Sequence, residues 1–192
     1  MASPRIISGT AKGLRLKSVP GDSTRPITDR VKEALFNIIG ADILNTNFLD
    51  LFGGTGSVGI EALSRGAASA IFIEKNRLAC QTLQSNINLC KVSQRSNVIS
   101  GDAFSFLRQP AIHSFEYIFI APPQYQNLWE KALLSVDKNS ALLSDDGWVI
   151  VQIHPVEEKE MKLENLEKFD SRLYGSTLLL FYQKILNNST NG

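Results

Sequence analysis

Asp50, Glu74, Asp102 and Pro122-Pro123 each stand where an apolar run gives way to a polar turn. Asp50 follows Phe48-Leu49 and leads into Leu51-Phe52-Gly53-Gly54-Thr55-Gly56-Ser57-Val58-Gly59. Glycines in such a turn can adopt positive φ and bring backbone N–H groups close to a ligand at the start of the next helix. Taken alone, Gly54-x-Gly56-x-x-Gly59 is shared by dinucleotide sites and other nucleotide sites. Glu74, with Lys75 after it, ends the run Ala70–Ile73, where an acid can accept hydrogen bonds from a ribose diol. Asp102, followed by Ala103, comes after Val98-Ile99-Ser100 and is placed to meet an adenine amino group. A fourth apolar run, Phe115–Ile120, leads into Ala121-Pro122-Pro123-Gln124-Tyr125. A single acid of this kind is more often a helix cap or a solvated loop residue. The ordered set, on one rim of one sheet, describes a ligand site.

The elements that must position these residues alternate. From Asn47 onward the pattern is strand, glycine turn and helix to Gly66, then strand to Glu74. A helix follows with Ala79, Leu83, Ile87 and Cys90 on one face. A helix through Phe104 and Leu107 precedes Phe115–Ile120. Trp129, Ala132, Leu133 and Val136 mark the next helix, and Gly147 opens the strand Trp148–Ile153. Alternation of this kind predicts a doubly wound, mostly parallel α/β sheet with helices on both faces. The end differs: Phe169–Tyr174, Gly175-Ser176 and Thr177–Ile185 predict an antiparallel hairpin on the sheet edge.

Ahead of this domain, Arg5-Ile6-Ile7-Ser8 and Leu14-Arg15-Leu16-Lys17 flank a Gly/Lys turn and read as a basic β-hairpin. A turn at Pro20-Gly21-Asp22 follows. Thr28 then caps a helix carrying Val31, Ala34, Leu35, Ile38 and Ile39, which Gly40 stops. The hairpin is too small to stand alone and must lean on the domain or on a ligand. Residues 1–40 hold seven basic and three acidic side chains, a net +4 that leaves the rest of the +1 chain at −3. Such a segment can be a nucleic-acid footprint, but from charge alone a solvated surface with uneven charges is the better reading.

With 192 residues, 43% hydrophobic and 20% charged, the chain fits one globular unit able to bury a full core. No apolar run is long enough to span a bilayer, and the N-terminus has no signal-peptide hydrophobic region. Cys80 and Cys90 are too few for a disulfide framework and lack metal spacing, so a cytoplasmic, reducing compartment is expected. His113 and His154 lie apart, with no acid or cysteine at ligand spacing, and no metal site is expected. Trp129 and Trp148 read as core, and Glu157, Glu158, Lys159 and Glu160 as a solvated face.

The chain resembles the bacterial class I S-adenosylmethionine-dependent methyltransferases that methylate guanine N2 in 16S ribosomal RNA. The resemblance rests on Arg5-Ile6-Ile7-Ser8-Gly9, on Thr24-Arg25-Pro26-Ile27-Thr28-Asp29-Arg30-Val31-Lys32-Glu33-Ala34-Leu35-Phe36-Asn37, and on Asp50–Gly59 with Glu61–Gly66. It implies an S-adenosylmethionine site at Asp50, Phe52, Gly53, Gly54, Gly56, Glu74, Lys75, Asp102 and Ala103. In that site the glycines line the methionine end, Glu74 holds the ribose, Asp102 faces the adenine, and Asp50 orients the loop or the methionine amino group. It further implies a catalytic segment Ala121-Pro122-Pro123-Gln124-Tyr125 and phosphate contacts by Arg5, Lys12, Arg15, Arg25 and Arg30. The division that follows is an RNA-binding extension (1–40), a methyltransferase domain (41–186) and a frayed tail (187–192). The expected partner is ribosomal RNA or the small ribosomal subunit, met by a monomer.

The catalytic segment departs from the family pattern, which has Asp or Asn, then Pro-Pro, then an aromatic residue. Here Ala121 takes the first place, and Gln124 precedes Tyr125. A guanine amino nitrogen is a poor nucleophile because its lone pair is delocalised into the ring. Acceptors aimed at its N–H groups free that pair. The carbonyls of Ala121 and Pro122 survive, and Gln124 can offer an amide oxygen. An altered or inactive site that still binds cofactor and RNA is the main alternative. A dinucleotide oxidoreductase would leave Asp102 and Pro122-Pro123 unexplained, and a DNA amino-methyltransferase would not carry the N-terminal signature.

Overall fold

The computed structural model describes residues 3–20 and 27–185. Arg25, most of the Pro20-Gly21-Asp22 turn and the tail expected at 187–192 lie outside the described residues. Five parallel strands, β1 (Asn47–Asp50), β2 (Ser69–Glu74), β3 (Ser96–Ser100), β4 (Phe115–Ile120) and β5 (Leu143–Ile153), form the body of one sheet. β7 (Thr177–Lys184) lies antiparallel beside β5, and β6 (Leu166–Tyr174) pairs with β7 as the edge, giving the order β3-β2-β1-β4-β5-β7-β6. The strand order reverses between β1 and β4, so a crevice opens past the carboxyl ends of those two strands. Asp50 and Ala121 stand there.

Helices cover both faces because side chains of a strand alternate between them. Val31, Leu35, Phe36 and Ile39 of α1 (Asp29–Ile39) share a core with Phe48, Phe119, Ile150 and Phe181. Helices α2 (Ser57–Ser64) and α3 (Arg77–Leu89) join that face through Val58, Leu63, Leu83 and Ile87. On the other face, α4 (Ala103–Leu107) and α5 (Leu128–Lys138) set Leu107, Trp129, Leu133 and Val136 against Leu49, Ile118, Ile120 and Val151. Each buried aliphatic side chain adds roughly 1.5–3 kcal/mol of transfer free energy, so the two layers are held mainly by burial. Thr28 caps α1 as expected, its hydroxyl accepting the Val31 N–H.

The basic N-terminal hairpin takes a minimal form: one bridge, Arg5 to Arg15, flanked by Ile6 N–H to the Leu14 carbonyl and Leu16 N–H to the Pro4 carbonyl. Ile6 and Leu16 are buried in the same core as α1 and α2. β5 begins at Leu143, before the glycine expected to open it. Its register with β4 jumps from Phe115–Leu143 to Tyr117–Trp148, so the intervening residues bulge. Gly147 sits in that bulge, where a Cβ would lie 3.0 Å from the Glu116 carbonyl oxygen.

Candidate active site

The glycine turn is clamped from three sides. Gly53 N–H donates to the Ile73 carbonyl at 2.8 Å, and Gly54 N–H donates to Glu74 Oε2 at 2.9 Å. Asn86 on α3, fully buried, donates to the Thr55 carbonyl at 2.9 Å and pairs with both backbone groups of Lys17. Gly56 has φ +78°, and a Cβ there would come within 2.3 Å of Leu83 Cδ1, so only glycine fits. Above Gly54 the space is open, with no atom nearer than the Phe52 carbonyl oxygen at 3.9 Å from a Cβ built there. The turn is therefore open to a ligand on the Gly54 side.

Asp50 lies beneath the turn, buried, with Oδ2 accepting the Gly59 N–H at 3.2 Å. Burial pushes its carboxyl up to about 7; the Gly59 N–H opposes that rise and the Glu74 charge adds to it. Glu74 ends β2 and spans the turn, its Oε1 accepting the Asn76 N–H at 2.7 Å. Asp102 caps α4 through Oδ1, which accepts Ser105 N–H at 2.9 Å. Ala103 is buried behind it, and Lys75 is exposed. Phe52 and Phe104 meet edge to face with centroids 6.4 Å apart, between the glycine turn and α4. Phe104 belongs to this neighbourhood although the sequence marked it only as a helix position. The β1, β2 and β3 ends therefore bring Asp50, Phe52, Gly53, Gly54, Gly56, Glu74 and Asp102 to one rim.

At the β4 end Pro122 is buried, Pro123 is exposed, and Gln124 is half-buried. Tyr125 is 65% exposed and holds a φ of +61°, a conformation uncommon for a non-glycine residue. Glu157 holds it there, contrary to its expected place on a solvated face. Its Oε1 accepts the Tyr125 N–H at 2.8 Å and its Oε2 the His154 N–H at 3.2 Å, so one carboxylate bridges the loops after β4 and β5. The Tyr125 and His154 rings lie 5.9 Å apart. Glu158 and Lys159 do face outward, each in an ion pair, with Lys168 and Glu130 respectively.

The N-terminal basic residues divide. Lys12, Arg15 and Arg30 are exposed; Arg5 is exposed but bound to Asp29 at 2.6 Å. Arg5 and Arg15, opposite each other in their bridge, project from one face. Lys32, part of the basic excess, is wholly buried. It donates to the Arg5 carbonyl at 2.6 Å and Ser57 Oγ at 2.9 Å, 3.6 Å from Glu61. Burial pushes its ammonium below the ordinary value, with Glu61 and Asp29 opposing. Glu61, also buried, accepts the N–H groups of Ile7 and Ser8 and the Arg65 guanidinium. This ion cluster fastens the N-terminal segment to the helix that opens from the glycine turn. Neither residue announces its partner in sequence, since Lys32 and Glu61 stand in separate elements.

Cavities of about 410 Å³ lie at the opposite rim, where the parallel strands begin. One is lined by Thr46, Glu116, Asp145 and Lys184 among others, the other by Asn47, Ser69, Arg95 and Phe115, and neither includes a residue of the site. The described residues hold no group of three His, Cys, Asp or Glu side chains able to bind a metal ion.

A seven-stranded sheet with an antiparallel end pair, a glycine turn after β1 and acids at successive strand ends define a class I methyltransferase. The chain belongs to the family described as "Conserved hypothetical protein 95", which matches residues 4–183. It is 38% identical over 182 residues to "Putative rRNA methyltransferase YlbH" of Bacillus subtilis, covering 94% of this chain and 98% of that protein. It is 37% identical over 145 residues to "Ribosomal RNA small subunit methyltransferase D" of Escherichia coli K12, covering 76% and 69%. Among solved structures, the "Putative methyltransferase yhhF" of Escherichia coli superimposes with TM-score 0.84 at 32% identity, covering 95% of this chain and 98% of that one. An RNA methyltransferase of Salinibacter ruber, in complex with S-adenosyl-L-homocysteine, shares the fold at TM-score 0.64 and 14% identity, covering 88% and 98%.

Proposed function

We propose that this chain transfers a methyl group from S-adenosylmethionine to the exocyclic N2 of a guanine in small-subunit ribosomal RNA. The observation that carries this reading is the single rim on which the clamped glycine turn, Glu74, Asp102 and the Pro122-Pro123 turn converge, at the point where strand order reverses. S-adenosylmethionine supplies an electrophilic methyl on a sulfonium. Gly53, Gly54 and Gly56 would border its methionine end, with Asp50 beneath, while Glu74 would take the ribose hydroxyls. Asp102, Ala103 and the Phe52–Phe104 pair would enclose the adenine, with Lys75 at the outer edge. The carbonyls of Ala121 and Pro122 would face the guanine amino group, Gln124 would offer its amide oxygen beside them, and Tyr125 would stack on the base.

A base edge must leave its helix to be modified, so an unpaired or opened guanine is the substrate this site suits. Lys12, Arg15 and Arg30, with Arg5 and Arg25 beside them in sequence, would hold phosphates on the approach. No helix among the described residues is long and apolar enough to cross a membrane, and a monomer working on ribosomal RNA in the cytoplasm suits this reading.

Ala121, in the place of the usual side-chain acceptor, favours one second reading: binding of cofactor and RNA without transfer. Incubation with tritiated S-adenosylmethionine and small-subunit ribosomal RNA lacking the modification decides between them. The first reading expects label in RNA; bound S-adenosylhomocysteine and bound RNA with no label would establish the second.

A further inference from the structure

β4 and β5 run parallel and in register from Tyr117–Trp148 to Ile120–Val151, so the next step along both strands sets Ala121 beside Gln152. The two residues also share a face. Phe119 and Ile150 lie in one core cluster, Ile120 and Val151 in the other, and Ala121 packs with the first. By the same alternation Gln152 turns to the Ala121 side, with the buried Leu179 of that cluster paired to it across β7. Among the described residues, Gln152 Oε1 is a buried side-chain atom that accepts no hydrogen bond. Trp129 Nε1 and Ser144 Oγ share that condition, but Trp129 packs in the cluster on the opposite face of the sheet from Ala121, and Ser144 stands near the start of β5, away from the crevice. A buried amide oxygen without a donor lowers stability, and a fold tolerates one where a ligand brings the donor.

We propose that Gln152 Oε1 is the second acceptor for the target amino group, taking over from the side chain that Ala121 does not have. The assignment rests on the guanine-N2 reading above. A guanine N2 carries two N–H groups. A backbone carbonyl at Ala121-Pro122 takes one and Gln152 takes the other, which localises the nitrogen lone pair and aims it outward. N2 then bonds to the methyl carbon as the carbon–sulfur bond breaks, the electron pair stays on sulfur, and the surplus N2 proton leaves to water. Gln152 needs only to accept a hydrogen bond throughout. The alanine is part of the device, because a larger residue beside Gln152 would occupy the space the amino group must enter.

Two variants test this under single-turnover conditions with saturating S-adenosylmethionine on unmodified small-subunit ribosomal RNA. Gln152→Met, close in shape but without the oxygen, should slow methyl transfer by about thirtyfold or more, with unchanged affinity for S-adenosylhomocysteine. It should melt at or above the wild-type temperature, since it removes an unpaired buried oxygen. Gln152→Glu keeps an acceptor and should stay within about tenfold of wild type. Gln152→Met turning over at the wild-type rate would overturn the assignment. So would a loss that merely tracks weaker S-adenosylhomocysteine binding. A wild-type protein that makes no N2-methylguanosine would sink the underlying reading and this assignment with it, and is distinguishable because no variant would then differ.

Discussion

Filling the cofactor site should move a proton at Asp50. That carboxyl is buried under the glycine turn with one N–H from Gly59 at 3.2 Å, and burial pushes it from the ordinary 3.8 up to about 7. A rise of that size corresponds to about 4 kcal/mol against the ionised form. The folded protein holds this proton more tightly than the unfolded chain, so the stability this group contributes is fully present below pH 4 and is lost as pH rises towards 7. Above 7 the whole penalty is present. Asp50→Asn removes the charge while leaving an oxygen for Gly59. Its melting temperature should match wild type near pH 3 and exceed it at pH 8. A cationic methionine amino group set against Asp50 would draw the carboxylate form back. Binding of S-adenosylhomocysteine should then release about 0.9 proton at pH 6 and about 0.1 at pH 8, and wild-type affinity should climb roughly tenfold per pH unit below 7 before levelling. Calorimetry in buffers of different ionisation enthalpy measures both quantities. Binding at pH 6 without proton release, together with Asn and wild-type proteins melting alike at pH 8, would refute this role for Asp50.

Glu61→Ala strands Lys32 in the core and frees the Ile7 and Ser8 N–H groups, and should cost about 3–5 kcal/mol in urea unfolding. Glu157→Gln turns one acceptor of the Tyr125–His154 bridge into a donor facing an N–H. It should reduce turnover by about tenfold with S-adenosylhomocysteine affinity unchanged, as seen by comparing single-turnover rates with calorimetry. Lys12→Glu with Arg15→Glu should weaken RNA binding and flatten its dependence on salt by roughly one slope unit for each phosphate left without its cation. An unchanged slope in filter binding would remove both residues from the RNA surface.

How much of this was visible in the sequence follows from how far apart the cooperating residues lie. β4 was legible to the residue, Phe115–Ile120, because an apolar run bounded by polar turns is a local signal. Asp50 and Glu74 were legible because each closes an apolar strand, and Asp102 because it opens the helix after β3. Glu157 was not: it sits in a charge run that reads as solvated surface, and its acceptor role exists only because the chain brings it back to Tyr125. Lys32 and Glu61 were hidden in the same way, one inside a basic segment and the other in the helix after the glycine turn. β5 started earlier than read because Gly147 marks a bulge within the strand. Asn86 and Gln152 are single amides in amphipathic elements, and only the burial of their polar atoms sets them apart.

The most direct test is the identity of one product. Small-subunit ribosomal RNA lacking the modification, incubated with this protein and S-adenosylmethionine bearing a deuterated methyl group, can be digested to nucleosides and resolved by mass spectrometry. Guanine-N2 transfer predicts deuterated N2-methylguanosine, formed in proportion to enzyme turnover and lost in Glu74→Ala. Label in another nucleoside, or none in RNA that the protein demonstrably binds, would contradict it.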